Sequence, residues 1–233
     1  MHAIALFSLA AFSIAAPTTI HPATSKGFTL VARVTDVKRD FTPSISNWVF
    51  STIHTGAALN VAVLSEGYAR VFYENGTAAG NTSIITDGAT PPVPFGVSIQ
   101  RPTQFDSLYP TEHSIFVNAG YGTRASIAPS GFPVLRNGQD LGGGTFVACN
   151  NSVPYYQNMK FITLQYAYGN ETVPSGCAPV ALLPQCAPVA LLPQCAALSE
   201  LPDDAYASHE FAVEVRCFGD AGRVTLEELE EQV

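Results

Sequence analysis

The chain has 233 residues, a formal net charge of −8, and charged side chains at only 13% of its positions. Its 11 Lys and Arg residues form neither a basic stripe nor a polybasic segment, so we expect no nucleic-acid partner and no membrane partner. A surface so poor in charge needs another source of solubility.

The N-terminal residues 1–15 have the pattern of a secretory signal peptide. An apolar run from Ala3 to Phe12 is followed by the small-x-small triplet that ends at Ala15, and the run is too short to span a bilayer. We therefore predict a secreted, extracellular protein. Residues 16–26 are rich in Pro, Thr and Ser, which predicts a flexible linker.

From Gly27 onward the pattern is that of β-strands. Phe28, Leu30, Ala32 and Val34 alternate with the residues between them, and similar β-branched and aromatic runs recur at 48–54, 68–73, 95–100, 113–117 and 160–168. Turn dipeptides such as Asn75-Gly76 and Asp87-Gly88 separate them. Residues 27–219 are predicted to form one all-β domain, an antiparallel β-sandwich or barrel-like fold.

Some segments leave the type of element open. Residues 57–64 fit a strand or a helical turn, and 209–217 fit a strand or a short capped helix. Residues 220–233 form an acidic C-terminal tail. Within it, Thr225-Leu-Glu-Glu228 has the form of a capping box, which predicts a short acidic C-terminal helix.

Four sequons of the form Asn-x-Ser/Thr lie behind the signal peptide. Glycosylation is therefore predicted at Asn75, Asn81, Asn150 and Asn170. The glycans would supply the solubility that the low charge does not.

The cysteines are associated with a tandem repeat. The nonapeptide Cys-Ala-Pro-Val-Ala-Leu-Leu-Pro-Gln begins at Cys177 and again at Cys186, and Cys195 follows at once. Two identical copies indicate a local duplication rather than a solenoid. Because nine is an odd number, an insertion within a strand would exchange its two faces. The extra copy should therefore be looped out, and either copy could take the original position.

Without one copy, four cysteines remain, which in a secreted chain suggests two disulfides with three connectivities. Cys149 and Cys217 both end predicted strands, so we predict that they pair. Cys195 would then pair with Cys186 or Cys177. The smaller ring favours Cys186, with Cys177 as the free thiol.

No motif for catalysis, cofactor binding or metal binding is found. There is no Gly-x-Ser-x-Gly, and His209-Glu210 lacks the second histidine of a zinc protease motif. We expect structural or surface roles for the four histidines that follow the predicted signal peptide (His21, His54, His113, His209). The same holds for the scattered acids that a glycosidase would need in a pair (Glu74, Asp106, Glu112, Asp140). The tyrosines Tyr155, Tyr156, Tyr166 and Tyr168 could stack on sugar rings, but packing is the more frequent role.

Several segments carry a family resemblance. They are Gly27-Phe-Thr-Leu-Val-Ala-Arg-Val-Thr35, Val71-Phe-Tyr-Glu-Asn-Gly-Thr77, Gly144-Thr-Phe-Val-Ala-Cys149, Val173-Pro-Ser-Gly-Cys177, Ser208-His-Glu-Phe211 and Val215-Arg-Cys217. In them the chain resembles a family of secreted ascomycete proteins of unknown function. The resemblance implies a fungal extracellular origin but no activity, and it transfers no catalytic residue. The tandem nonapeptide departs from the family pattern.

These observations leave three hypotheses. The first is a non-catalytic secreted fungal glycoprotein, acting at the cell surface or in the medium. The second is a β module that binds a carbohydrate of the cell wall or host, or a small ligand, for which exposed aromatic rings or an open cavity would be evidence. The third is a hydrolase without a recognisable motif, which would need two acids facing one another across a cleft.

Overall fold

The computed structural model describes residues 23–34, 36–76, 82–103, 113–123, 125–127, 135–137, 143–169, 171–174, 176–178, 190–225 and 227. Short 3-10 turns lie at Val37–Arg39, Pro154–Tyr156 and Ala221–Arg223. The strands are β1 (Ala23–Ser25), β2 (Gly27–Arg33), β3 (Val49–Gly56), β4 (Leu59–Ser65), β5 (Phe72–Asn75), β6 (Ser83–Gly88), β7 (Val93–Ile99), β8 (His113–Ala119), β9 (Ala125–Ile127), β10 (Leu135–Asn137), β11 (Gly144–Val153), β12 (Met159–Tyr168), β13 (Cys177–Ala178), β14 (Ala190–Ala196), β15 (Ala212–Val213) and β16 (Val215–Cys217).

Eight of these strands form a closed antiparallel barrel in the order β2-β3-β4-β12-β8-β7-β6-β5, with β5 returning to β2. Four more strands extend the sheet, because β11 pairs with β12, β13 with β11, β14 with β2 and β15 with β5. The all-β prediction is confirmed, and of its two alternatives the barrel is the one observed.

The barrel interior is filled by the side chains that the alternation pointed inward. Phe28, Leu30 and Ala32 of β2 are all fully buried, as are Phe50 and Phe72. The ring centroids of Phe28 and Phe50 lie 6.5 and 5.0 Å from that of Phe72. Burying such a side chain contributes about 1.5–3 kcal/mol, so these three aromatic rings form a large part of the core.

A second, smaller cluster packs on the outer face of β5 and β6. Tyr73 and Ile85 face each other across these strands and are buried under Ala212 and Leu198. On the neighbouring strand, Gly96 allows the loop at 120–123 to lie directly on the sheet. A Cβ at Gly96 would fall 2.2 Å from the backbone nitrogen of Gly122, so no other residue fits there.

The segments left open by the sequence are strands. Residues 59–65 form β4, and 212–213 and 215–217 form β15 and β16. Ala23–Ser25, which we predicted to lie in the flexible linker, instead pairs with β16 as β1. The predicted signal peptide and residues 16–22 of the linker lie outside the described residues. Of the predicted C-terminal helix only Thr225 and Glu227 are described, so that helix stays a prediction.

The disulfide pairing that we predicted is wrong. The structure joins Cys149 to Cys177 and Cys195 to Cys217, so Cys177 is not a free thiol and Cys149 does not pair with Cys217. The cause lies in the sheet, since β13 runs beside β11 with Cys177 directly opposite Cys149 and the Cα atoms 4.1 Å apart. Cys186 lies outside the described residues.

The two copies of the nonapeptide supply different strands. The first copy begins with β13 beside β11, and the second supplies Ala190 to Gln194 of β14 beside β2. Strand β14 keeps a continuous register with β2 from Ala190 to Ala196. The extra nine residues are therefore not inserted within this strand. Residues 179–189 between the two strands lie outside the described residues.

Candidate functional site

One histidine–carboxylate pair is enclosed in the fold. His113 is fully buried, and its Nε2 lies 2.7 Å from Oε1 of Glu171. The other carboxylate oxygen accepts the backbone N–H of Tyr168 at 2.8 Å, and the Tyr168 hydroxyl donates to the carbonyl of Gln100 at 2.7 Å. This pair connects β8 with the segment that follows β12, and its imidazole is shielded from solvent. The structural role expected for His113 stays a prediction.

A second pair lies on the outer face of the barrel and is partly exposed. Nε2 of His209 lies 2.7 Å from Oδ2 of Asp87, and the two side chains are 19% and 24% exposed. The Tyr73 hydroxyl donates to Oδ1 of the same carboxylate at 3.3 Å. The Tyr73 and His209 rings meet edge to face, with centroids 4.8 Å apart. Asp87, His209 and Tyr73 are called the Asp87 cluster below.

Backbone hydrogen bonds position His209 over Asp87. Asp87 lies near the end of β6, opposite Pro94 of β7. The loop between these strands turns so that the Pro92 carbonyl accepts the N–H groups of Tyr206 and Ala207 at 2.8 and 3.0 Å. Three residues beyond His209, Ala212 pairs with β5. The segment is thus held at both ends against the barrel, with the histidine between them.

Burial and charge both act on the phenol of this cluster. Burial removes water from the Tyr73 phenol and raises its pKa well above the ordinary value of 10.0, and the neighbouring Asp87 carboxylate raises this pKa further.

Arg70 lies beside the cluster. It donates to the Thr52 hydroxyl at 2.7 Å and to the backbone carbonyl of Asp87 at 3.4 Å. Its pKa is lowered by burial, but a guanidinium stays protonated in proteins.

In the described part of the chain, the Asp87 cluster shows a base and an acid but no nucleophile beside them. Among the described residues no serine or cysteine contacts His209, and the adjacent Ser208 hydroxyl accepts the backbone N–H of Glu210 at 3.2 Å. A carboxylate and an imidazole at this separation can exchange a proton or bind hydroxyl groups.

We expect the raised pKa of Tyr73 to make the fold sensitive to alkali. Above about pH 10 the unfolded chain releases the Tyr73 proton while the folded chain keeps it, so the free energy of unfolding falls as the pH rises. The Tyr73→Phe variant should lack this part of the decline. Urea unfolding between about pH 8 and pH 11 measures it, with the exposed Tyr68→Phe as control. Equal slopes in the wild type and Tyr73→Phe would contradict the assignment.

Of the four candidate acids, only Glu74 is among the described residues. Glu74 lies in β5 and is 6% exposed, while Asp106, Glu112, Asp140 and His21 are outside the described residues. The described part of the chain has no group of three or more His, Cys, Asp or Glu residues that could hold a metal ion. Because only part of the chain is described, the expected absence of catalytic residues, cofactor and metal ligands stays a prediction.

The tyrosines divide into two groups. Tyr166 and Tyr168 are 3% and 6% exposed, and their ring centroids lie 4.9 Å apart in the core, so they pack rather than stack on sugars. Tyr155 is 56% exposed, and its ring meets those of His54 and Tyr156 edge to face.

The sequons also differ. Asn150 is exposed on β11, whereas Asn75 is partly buried at the end of β5 and its Oδ1 atom is inaccessible. Asn81 and Asn170 lie outside the described residues, and glycosylation of all four stays a prediction.

Sequence reasoning did not identify the partners of the two histidines. Asp87 was interpreted as part of a turn and Glu171 as the middle of a sequon. Each histidine is far from its partner in the chain, because the residue numbers of His209 and Asp87 differ by 122 and those of His113 and Glu171 by 58. Spacing motifs do not reach over such distances.

A family model described as "Domain of unknown function (DUF7907)" matches residues 25–186. The chain belongs to this family. The match includes Tyr73 and Asp87 but ends before His209. It confirms the resemblance to an uncharacterised fungal family.

A curated relative extends the comparison beyond the DUF7907 match. "Antigenic protein SchS34" of Stachybotrys chartarum is 42% identical over 220 residues, which cover 88% of this chain and 91% of the relative. No solved structure matches this chain significantly. In the part that the structure describes, no helix has the length and apolarity needed to cross a membrane.

Proposed function

We propose that this member of the DUF7907 family is a secreted fungal glycoprotein that acts without catalysis, at the cell surface or in the surrounding medium. The pair of disulfides carries the proposal, because one joins neighbouring strands of the large sheet and the other joins β14 of that sheet to β16 of the two-stranded sheet. Disulfides of this structural kind persist in oxidising, extracellular compartments and are rare in the cytosol. The signal-like residues 1–15 and the four sequons support the same compartment.

A non-catalytic role is supported by how the described polar groups are used. The buried His113–Glu171 pair joins β8 to the segment that follows β12. The partly exposed Asp87–His209 pair holds the segment at 206–212 on the barrel, and no nucleophile among the described residues accompanies it. The relative from S. chartarum is named an antigenic protein. We propose that this chain shares that property, since a closed barrel with disulfides among the strands beside it presents a fixed surface to antibodies.

A second candidate function is carbohydrate binding on the outside of the barrel. The filled interior gives no support to a ligand there. Outside, Tyr121 is 62% exposed and near enough to Tyr73 to raise the pKa of its phenol, and Tyr206 is 76% exposed beside Pro92. Exposed aromatic rings, carboxylates and imidazoles are groups that bind sugar rings and their hydroxyls.

Expression of the full chain in a filamentous fungus tests the proposed function. We expect the protein in the culture medium, starting near Ala16, with both disulfides formed. N-terminal sequencing and non-reducing peptide mapping measure this, and deletion of residues 2–15 is the control that should abolish export. Retention of the full chain inside the cell would contradict secretion.

A pull-down with insoluble chitin and β-glucan tests the second candidate function. If the secreted protein binds these polysaccharides, its concentration in the supernatant should fall after incubation with them.

A further inference from the structure

We propose that the secreted chain is cleaved after Arg39 by a processing protease that recognises paired basic residues, and that it stays folded as two chains. The inference rests on the proposed secretion, which brings the chain to the processing proteases of the secretory pathway. It goes further by assigning a modification site and the product that cleavage there leaves.

The pair Lys38-Arg39 is unique in the sequence. The chain has 11 Lys and Arg residues, and apart from these two none is next to another. A protease with two acidic subsites side by side binds both cations of such a pair, and each single Lys or Arg leaves one subsite unfilled. One position in the whole chain therefore fits this class of protease.

The pair lies on an exposed turn between β2 and β3. The turn Val37–Arg39 has no buried residue, Val37 is 66% exposed, and Lys38 and Arg39 are exposed beside it. The first buried residue after the pair is Ile45. Exposed turns of this kind are where proteases cut folded proteins, because the backbone can open there without unpacking the core.

Few hydrogen bonds have to open before a protease can bind the turn. Before the cut, the Asp36 carboxylate accepts the N–H of Lys38 at 3.1 Å, and the Asp36 carbonyl accepts the N–H of Arg39 at 3.0 Å. After the cut, the Asp40 carboxylate accepts the N–H of Ile45 at 3.1 Å. The two turns are separate, so the first can open toward a protease while the second keeps its place.

The fragment that ends at Arg39 should stay in the barrel after cleavage. It contains β2, which pairs with β14 along its whole length and also with β3 and β5. Phe28, Leu30 and Ala32 of this strand are fully buried in the core, and their burial holds the strand in the sheet. The fragment contains no cysteine, so after cleavage no covalent bond joins it to the rest of the protein.

N-terminal sequencing tests the inference. The chain is expressed in yeast with residues 1–15 replaced by a heterologous signal that has no adjacent basic residues, so that export does not depend on the native leader. We expect the purified protein to give two N-terminal sequences in equal amounts, one at Ala16 and one beginning Asp40-Phe-Thr-Pro. The two fragments should elute together from a native size-exclusion column and separate on a denaturing gel.

Matched variants distinguish recognition of the pair from cleavage at any exposed basic residue. Lys38→Gln leaves Arg39 as a single exposed basic residue, comparable to the exposed Lys160, and Arg39→Gln removes the residue before the cut. Neither change removes a buried side chain. Both variants should be secreted as one whole chain, and so should the wild type from a strain that lacks its paired-basic protease.

Three results would overturn the inference. They are a secreted wild type without the Asp40 terminus, a Lys38→Gln variant that still has it, and loss of the fragment 16–39 from the native protein. Failure of the native leader to export the chain would instead contradict the proposed function, because cleavage is measured with the heterologous signal.

Discussion

Replacing Cys149 with serine should lower the free energy of unfolding by about 3–4 kcal/mol, and replacing its partner Cys177 should lower it by less. The disulfide links positions 28 residues apart, and closing a loop of that size is worth about 3–4 kcal/mol in the chain-entropy model. No other cysteine in the sequence stands in the same sequence context as Cys149. Cys186, in contrast, could replace Cys177 in the disulfide, because Cys186-Ala187 repeats the sequence Cys177-Ala178 that forms β13.

The other disulfide supplies a matched test. All seven residues of β14 recur in the same order at 181–187, so Cys195→Ser leaves Cys186 in an identical sequence context, whereas Cys217→Ser does not. We therefore expect Cys217→Ser to be the more destabilising change of that pair.

Urea unfolding and non-reducing peptide mapping measure both effects. The maps should show Cys149–Cys186 in Cys177→Ser and Cys186–Cys217 in Cys195→Ser. Equal losses of stability within each pair, together with no new disulfide, would show that the copies are not interchangeable.

Replacing His113 with alanine should lower the free energy of unfolding by about 3 kcal/mol. The imidazole is fully buried against Tyr168 and 2.7 Å from the Glu171 carboxylate. Its removal leaves a cavity and takes a hydrogen-bonding partner from Glu171, and breaking a buried pair from one side costs about 3–5 kcal/mol. The lower value applies because the Glu171 side chain is 28% exposed and water can reach it.

Two variants separate the charge from the packing. Glu171→Gln keeps an amide oxygen that can accept one hydrogen bond, so about 1–2 kcal/mol should be lost. His54→Ala removes an exposed histidine of β3 and should change stability by about 0.5 kcal/mol or less. Equilibrium urea unfolding with both disulfides intact measures all three. If His113→Ala were as stable as His54→Ala, the buried pair would have no structural role.

The strands could be predicted because burial leaves a local pattern. In β2 every second side chain points to the core, and that period of two is visible in Phe28, Leu30 and Ala32 without knowledge of their neighbours. The same period occurs in sandwiches and in barrels, so it could not choose between them. The choice depends on which strands meet at the junction of β4, β8 and β12, where β12 pairs first with β4 and then with β8.

The disulfides and the Asp87 cluster could not be predicted for a related reason. In the sequence, Cys149 and Cys217 both end predicted strands, and loop entropy alone gives no objection to joining them. The register of β13 against β11 decides the pairing, and it is set by the whole sheet. In the same way, Asp87 meets His209 only because Pro92 and β5 hold the segment at 206–212 in place. Such contacts follow from the fold and leave no spacing in the sequence.

The closed order of the strands restricts when the protein can fold during synthesis. Strand β2 is made among the first elements, yet its partner β14 is among the last. Strands β4 and β8 also pair with β12, which is made after both of them. The hairpins β3–β4 and β6–β7–β8 need only local contacts and can form early. Until β12 and β14 emerge, however, the early strands have open edges, which are sites of aberrant pairing. A nascent chain of this topology therefore depends on protection of its edges until nearly all of the domain has been synthesised.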